Sequence, residues 1–129
     1  TDGLTILGAT VRHPVDHLET FPAPHGCTKV RFTCEEVTSM CPVTEQPDLS
    51  TVVIEYAPHE RCVESKSLKL YLWSFRDEGT FHEAVTNRIC DDLVRTLSPR
   101  WIEVVGDFAV RGGIHTVVTA RHGERPKDA

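Results

Sequence analysis

The sequence predicts an α+β domain in which an antiparallel sheet carries two helices on one face. Segments with alternating apolar residues occur in two pairs, and two amphipathic helical stripes lie between the pairs. The resulting order is strand, strand, helix, helix, strand, strand. This arrangement leaves one sheet face and both edge strands uncovered, so we expect the chain to associate with copies of itself into a closed barrel.

One domain is expected over residues 1–129, because a chain of this length can bury a core of its own. Residues 1–27 contain several prolines and glycines and no sustained periodicity, which predicts an irregular N-terminal arm. Residues 121–129 are polar and predict a frayed tail.

The first pair of strands is indicated by alternation between apolar and polar residues. Residues 28–36 and 51–56 both show it, so each is expected to be a strand with one buried face. Residues 37–50 show no periodicity, and so long a connection is unusual in a compact domain unless it has a function. This connection contains Cys41 and Asp48.

Two helices are expected next. Apolar residues at positions i, i+3, i+4 and i+7 predict an amphipathic helix over residues 65–75. A second stripe runs from Phe81 to Leu97, and Thr80 and Glu83 have the spacing of a capping box at its start.

The last two strands are expected over residues 101–110 and 114–120, both of which are rich in β-forming residues. Gly112 and Gly113 lie between them and can supply the positive φ angles of a tight hairpin turn. A hairpin therefore closes the predicted order.

Composition argues against several classes of function. A net charge of -5 without a basic cluster predicts no direct binding of nucleic acid. No apolar run approaches the ~18 residues of a membrane span, and no secretory signal is present, so we expect a cytoplasmic protein without membrane contact. The cysteines form no CxxC pair, which predicts free thiols and no metal site.

Cys41 is a candidate nucleophile, because it lies in a proline-stiffened loop seven residues before an acid, Asp48. The alternative is a small buried hydrophobe, which describes most cysteines. No Lys or Arg occurs between Phe32 and Glu60, so the local sequence disfavours a thiolate. We therefore expect Asp48, His82 or a neighbouring subunit to assist it.

Residues 64–69 bring hydroxyl groups, ammonium groups and free backbone N–H groups to the start of the first helix, where a phosphate could bind. The alternative is that Ser65 caps the helix while Lys66 and Lys69 are solvated. At the start of the second helix, Glu83 could accept hydrogen bonds from a guanine-like base, and His82 could exchange protons near neutral pH.

Taken together, these segments resemble the NADPH-dependent 7-cyano-7-deazaguanine reductases, the nitrile reductases of queuosine biosynthesis. The resemblance covers roughly residues 18–120. It rests on residues 18–21 with 24–25, 41–44 with 46–48, 64–71, 74–76 with 81–83, and 106–108 with 111–114.

The resemblance implies the tunnelling fold, a ββααββ unit whose strands join those of neighbouring subunits around a tunnel, with sites between subunits. It implies reduction of a nitrile to an amine by NADPH through a thioimide on Cys41, with Asp48 as proton donor and no metal. His82 and Glu83 would contact the deazaguanine. The resemblance further assigns Val63, Glu64 and Ser65 to the base, and Lys66, Ser67 and Lys69 to NADPH.

Two positions depart from the family pattern, Glu45 where glycine is common and Leu49 where phenylalanine is. Neither removes a reacting group, but added charge at Glu45 can alter the proton affinity of Asp48.

Two other functions remain open. An amidinotransferase relative would let ammonia attack the same thioimide on a deazaguanine already in tRNA, but it has no use for residues 64–69. A non-catalytic protein of the same fold would hold a purine through Glu83 while Cys41 stays inert.

Overall fold

The computed structural model describes residues 18–40, 47–77 and 82–127. Its elements are β1 (Thr20–Pro22), β2 (Val30–Met40), β3 (Pro47–Ala57), β4 (Arg61–Val63), α1 (Ser65–Trp73), a 3-10 turn (Ser74–Asp77), α2 (His82–Leu97), β5 (Trp101–Arg111) and β6 (Ile114–His122).

The main sheet is antiparallel with the strand order β2-β3-β5-β6, which confirms the predicted α+β class. Gly112 and Gly113, with φ angles of 59° and 81°, form the predicted tight turn between β5 and β6. Strands β2 and β6 are the edges of this sheet among the described residues.

The strands β2 and β3 are longer than predicted, and most of the expected connection over residues 37–50 is in fact strand. The cause is a β-bulge. Cys34 pairs with Val52, but the next pair joins Val37 to Ser50, so β2 carries one extra residue. The extra residue interrupts the alternation by which a strand is recognised in sequence.

Both helices pack on one face of the main sheet, as predicted. Alternate residues of the two central strands meet the apolar stripes of the helices, and burial of each such side chain stabilises the fold by roughly 1.5–3 kcal/mol. The fully buried members are Val52, Ile54 and Tyr56 of β3, Ile102 and Val104 of β5, Leu68, Tyr71 and Phe75 of α1 and the turn after it, and Val85, Ile89 and Leu93 of α2.

A second, two-stranded sheet was not predicted. In it β1 pairs antiparallel with β4, and Phe21 lies opposite Cys62. Each strand has three residues, too few for alternation to be visible. Part of the expected irregular arm is therefore strand, fastened beside the start of α1.

The opposite face of the main sheet carries a cluster of charges. Glu55 and Glu103 are directly opposed in the register of β3 and β5, an arrangement that repels. Arg125 lies between them, with its Nη1 2.9 Å from Glu55 Oε1 and 3.1 Å from Glu103 Oε1, and its guanidinium group lies over the ring of Trp101. The expectation of a frayed tail is therefore wrong for its described part.

We predict that Arg125→Ala lowers the free energy of unfolding by about 1–2 kcal/mol, because two mostly buried carboxylates lose their shared cation. Chemical denaturation measures this loss. The matched control is Arg121→Ala, which removes a cation that pairs with Glu103 but is 68% exposed, and should cost at most about 0.5 kcal/mol. Equal losses in the two variants would contradict a bridging role for Arg125.

Within residues 18–40, 47–77 and 82–127, neither helix has the length and apolar character needed to span a bilayer.

Candidate active site

The imidazole ring of His82 lies flat against the ring of Phe108. Their centroids are 3.8 Å apart and their planes differ by 2°. Phe108 is 1% exposed, so the core holds it in place and it fixes the plane of the imidazole. The backbone carbonyl of His82 also accepts a hydrogen bond of 2.9 Å from the hydroxyl of Thr86. The stack on Phe108 therefore holds the imidazole ring of His82 in one orientation.

The stack depends on the lack of a side chain at Gly106. A Cβ atom added there would lie 2.6 Å from Thr86 Oγ1 and 2.8 Å from Cε2 of Phe108, both closer than van der Waals contact allows. Glycine therefore lets α2 approach β5 closely enough for the imidazole to reach the ring.

The register of the sheet places Asp48 toward the end of the sheet at which His82 stacks on Phe108. Asp48 pairs with Ser39, and two residues further along β3, Ser50 pairs directly with Phe108. Because Phe108 underlies His82, the start of β3 and the N-terminus of α2 meet at one end of the sheet. Two of the predicted catalytic residues are therefore on neighbouring elements.

Cys41 and Glu45 lie outside the described residues. The nearest described positions are Met40 and Pro47, the last pair of β2 and β3. Cys41 follows Met40 in the chain and Asp48 follows Pro47.

Glu83 is an exposed residue in the first turn of α2. An acidic residue in this position suits the partial positive charge of the helix N-terminus and so stabilises the helix. The position of Glu83 next to His82 allows both residues to face one ligand. The predicted capping box cannot be followed, because Thr80 lies outside the described residues.

Glu64, and not Ser65, caps helix α1. Its carboxylate accepts hydrogen bonds of 2.8 Å from the backbone N–H groups of both Lys66 and Ser67. A phosphate at this helix end would meet a carboxylate instead of free N–H groups. The expectation of open donors is therefore wrong, and any anion would have to be bound by side chains.

The side chains expected to contact NADPH differ in accessibility. Ser67 is 5% exposed, and its hydroxyl accepts a hydrogen bond from the backbone N–H of Glu19 and donates to the carbonyl of Glu64. Lys66 and Lys69 are exposed, and Nζ of Lys69 lies 4.8 Å from the ring centroid of Trp73. The two lysines are thus available to a ligand, while Ser67 joins the helix start to the arm.

The residues expected to contact the base fall into two separate places. Val63 lies near Tyr56, because its backbone N–H donates to the hydroxyl of Tyr56. His82 lies near Ser50, because Ser50 pairs with Phe108, on which His82 stacks. Tyr56 and Ser50 are six positions apart in one strand, roughly 20 Å at the usual rise per residue. One chain therefore keeps Val63, Glu64 and Ser65 apart from His82 and Glu83.

Among residues 18–40, 47–77 and 82–127, no three His, Cys, Asp or Glu side chains are grouped so as to hold a metal ion.

Sequence reasoning assigned no role to Phe108 or Gly106, although both belong to a motif used for the resemblance. Their contact with His82 joins residues far apart in the chain, and periodicity does not reveal such contacts.

We predict that Phe108→Leu lowers kcat about 10-fold with less effect on KM, because the imidazole loses the surface that sets its plane. Steady-state kinetics measures both constants. The matched control is Phe75→Leu, which removes another fully buried ring, one that packs edge-on against the ring of Tyr71. A similar loss of kcat in both variants would show that general destabilisation is the cause.

Comparisons with known proteins agree with one another. A family model described as QueF-like protein matches residues 47–127. A protein from Anaeromyxobacter sp. (strain Fw109-5), named NADPH-dependent 7-cyano-7-deazaguanine reductase, is 70% identical over 115 residues, which are 88% of this chain and 94% of that protein. A protein of the same name from Alkalilimnicola ehrlichii is 54% identical over 111 residues, or 84% of this chain and 86% of that protein.

A solved structure has the same fold. It is the crystal structure of the archaeosine synthase QueF-Like in the apo form, which aligns with a TM-score of 0.72 and covers 81% of this chain and 99% of that chain. The two sequences are 22% identical, so this likeness concerns the fold alone.

Proposed function

The chain belongs to the QueF-like family of NADPH-dependent 7-cyano-7-deazaguanine reductases, and from this membership we propose that it reduces the nitrile of 7-cyano-7-deazaguanine to an aminomethyl group. This is an oxidoreductase reaction of queuosine biosynthesis. The observation that carries the proposal is the 70% identity to a reductase over 88% of the chain.

Cys41 begins the reaction as we propose it. Its thiol adds to the electrophilic nitrile carbon while Asp48 takes the thiol proton and passes a proton to the nitrogen, which yields a thioimide. Bound NADPH supplies hydride. After the first reduction the thiol is expelled and an imine remains, and a second equivalent completes the amine. The position of Asp48 near the His82 end of the sheet supports its part in this chemistry.

Glu83 and His82 hold the substrate in this account. The ionised carboxylate of Glu83 accepts hydrogen bonds from the Watson–Crick edge of the deazaguanine, and charge-assisted bonds of this kind are stronger than neutral ones. His82, held flat by Phe108, contacts the substrate or the intermediate beside it.

The exposed face of α1 fits the charge of NADPH. Lys66 and Lys69 offer two ammonium groups for its phosphates, and next to Lys69 lies an apolar hollow of about 220 Å³. The hollow is bounded by Phe32 and Trp73, which suit a planar ring. Ser67 acts indirectly, since its hydroxyl is bonded to Glu19 and keeps the helix start in place.

Two copies of the chain are needed to complete one site. Support comes from the roughly 20 Å along β3 between Ser50, near His82, and Tyr56, which bonds to Val63. Edge strands of two subunits would join, which would also cover exposed Ile114 and Val117 on β6. This assembly is the closed barrel expected from the sequence. Three other expectations also stay predictions: that the chain binds no nucleic acid, that it contacts no membrane, and that it is cytoplasmic.

The test is nitrile-dependent oxidation of NADPH, followed at its absorbance, with the aminomethyl product identified by mass spectrometry. Ammonia in place of NADPH is the second arm, because an archaeosine synthase has the same fold. We expect consumption of two NADPH for each nitrile and no product with ammonia. An amidine product without NADPH oxidation would favour the amidinotransferase, and no reaction in either arm would favour a purine-binding protein.

A further inference from the structure

Residues 63–65 join β4 to α1, and they differ in how far a ligand can reach them. Val63 is 2% exposed and Glu64 is half-buried, whereas Ser65 is exposed. Of the three residues proposed to contact the deazaguanine, Ser65 is therefore the most accessible. The direction in which Ser65 meets the base depends on what holds the two residues before it.

The backbone N–H of Val63 points away from the small sheet. The N–H of Glu64 donates to the carbonyl of Glu19 at 2.8 Å, which makes these two residues a hydrogen-bonded pair of the ladder between the arm and β4. The next pair is Thr20 opposite Val63. Hydrogen-bonded and non-hydrogen-bonded pairs alternate in an antiparallel ladder, so the N–H of Val63 cannot find its acceptor on β1.

A tyrosine hydroxyl supplies the missing acceptor. The N–H of Val63 donates to the Tyr56 hydroxyl at 3.0 Å, and Tyr56 is 0% exposed. Without this hydroxyl the amide would be a buried donor with no acceptor, which is costly enough to favour a shift of the backbone. Tyr56 lies on the central strand β3, so the core of the main sheet fixes the end of β4.

A serine hydroxyl fixes the same segment from its other side. The Ser67 hydroxyl accepts a hydrogen bond of 3.0 Å from the N–H of Glu19 and donates one of 2.9 Å to the carbonyl of Glu64. It is thus inserted between two groups that would bond directly in a regular ladder. Ser67 is 5% exposed, so water does not readily replace it.

We propose that the hydroxyls of Tyr56 and Ser67 are positioning groups for the deazaguanine, because they fix the backbone on both sides of the junction that presents Ser65. This inference rests on the proposed function, in which residues 63–65 contact the base. A hydrogen bond weakens as its angle departs from linearity, so a small rotation of this junction weakens binding. Ser67 then serves the base, whereas the resemblance assigned it to NADPH.

The ordinary alternative is that both hydroxyls only stabilise the fold, as most buried hydrogen bonds do. The two accounts differ in what they predict for the folded protein. A loss of stability lowers the fraction of folded chains and leaves the Kd of each folded chain unchanged. A displaced Ser65 raises the Kd for the deazaguanine in chains that are fully folded.

Titration calorimetry with 7-cyano-7-deazaguanine in the absence of NADPH tests the proposal. We expect Tyr56→Phe and Ser67→Ala each to raise the Kd about 10-fold. The KM for NADPH should change by less than about twofold, because Lys66 and Lys69 have long, flexible side chains that absorb a small shift of the helix start. The matched control is Tyr71→Phe, which removes the hydroxyl of another fully buried tyrosine, one that donates to Asp92.

An unchanged Kd in either Tyr56→Phe or Ser67→Ala would overturn the inference, as would equal weakening in Tyr71→Phe. A rise in the KM for NADPH without a rise in the Kd for the nitrile would return Ser67 to the cofactor. If the unaltered chain does not bind the nitrile, the proposed function fails and the inference fails with it. The calorimetry of the unaltered chain therefore separates the two failures.

Hydrogen exchange measures the positioning itself and needs no ligand. The amide of Val63 should exchange faster with solvent deuterium in Tyr56→Phe than in the unaltered chain, because its acceptor is gone. In Tyr71→Phe the exchange of this amide should stay as it is in the unaltered chain. Equal exchange in all three proteins would show that the Tyr56 hydroxyl does not hold the segment, and would overturn the inference.

Discussion

Replacing Cys41 with alanine is expected to lower kcat for nitrile reduction by at least about 1,000-fold, because the nitrile carbon loses the nucleophile that converts it into a thioimide. Direct attack of hydride on the unactivated nitrile is the only remaining route. The measurement is the rate of NADPH oxidation at saturating nitrile.

Binding should survive this change. The Kd for the deazaguanine should stay within about threefold, since the contacts that hold the base lie elsewhere. Cys27→Ala, which removes a half-buried thiol from the N-terminal arm, is the matched control and should retain its rate. Retained turnover in Cys41→Ala would exclude covalent catalysis by this residue.

Replacing Glu83 with glutamine is expected to weaken binding of 7-cyano-7-deazaguanine by about 2 kcal/mol, or roughly 30-fold in Kd, because an ionised acceptor becomes neutral and one of its oxygens becomes a donor. The new amide group would face the N–H donors of the base. Titration calorimetry without NADPH measures the change directly.

Asp91→Asn is the matched control for Glu83. Asp91 is also an exposed acid on α2, about two turns further from its N-terminus, and its removal should leave the Kd unchanged. Equal weakening in both variants would point to the overall charge of the helix, and not to a contact between Glu83 and the base.

Sequence patterns predicted the four long strands and both helices because each has one buried face, and burial leaves a period in the sequence. The pattern failed where that period is interrupted. The bulge between Cys34 and Val37 hid the end of β2, and the three-residue strands β1 and β4 are too short to show alternation.

The site was predicted less completely, because it depends on contacts between distant residues. Glu64 and Ser65 are both polar, so the sequence does not show which of them caps the helix. The backbone angles decide it, because Glu64 is extended and its carboxylate accepts the hydrogen bonds of the first turn. The stack of His82 on Phe108 requires the register of β5 against β3 and the close approach allowed by Gly106. No pattern within a short stretch of sequence predicts the helix cap or the stack.

The tail, residues 121–129, is the clearest example of a segment whose structure depends on residues far away in the chain. Residues 121–129 read as polar and unstructured, yet Arg125 is held by Glu55 and Glu103, which come together only when β3 and β5 pair. A charged residue near a chain end is informative only once its partners are known.

The central claim is that Cys41 forms a covalent bond with the nitrile, and the intact mass of the chain tests it most directly. The protein is incubated with 7-cyano-7-deazaguanine in the absence of NADPH. Addition of a thiol to a nitrile releases no atoms, so the account predicts a mass increase equal to the whole nitrile, which is absent in Cys41→Ala. An unchanged mass at saturating nitrile, or an adduct that persists in Cys41→Ala, would contradict the account.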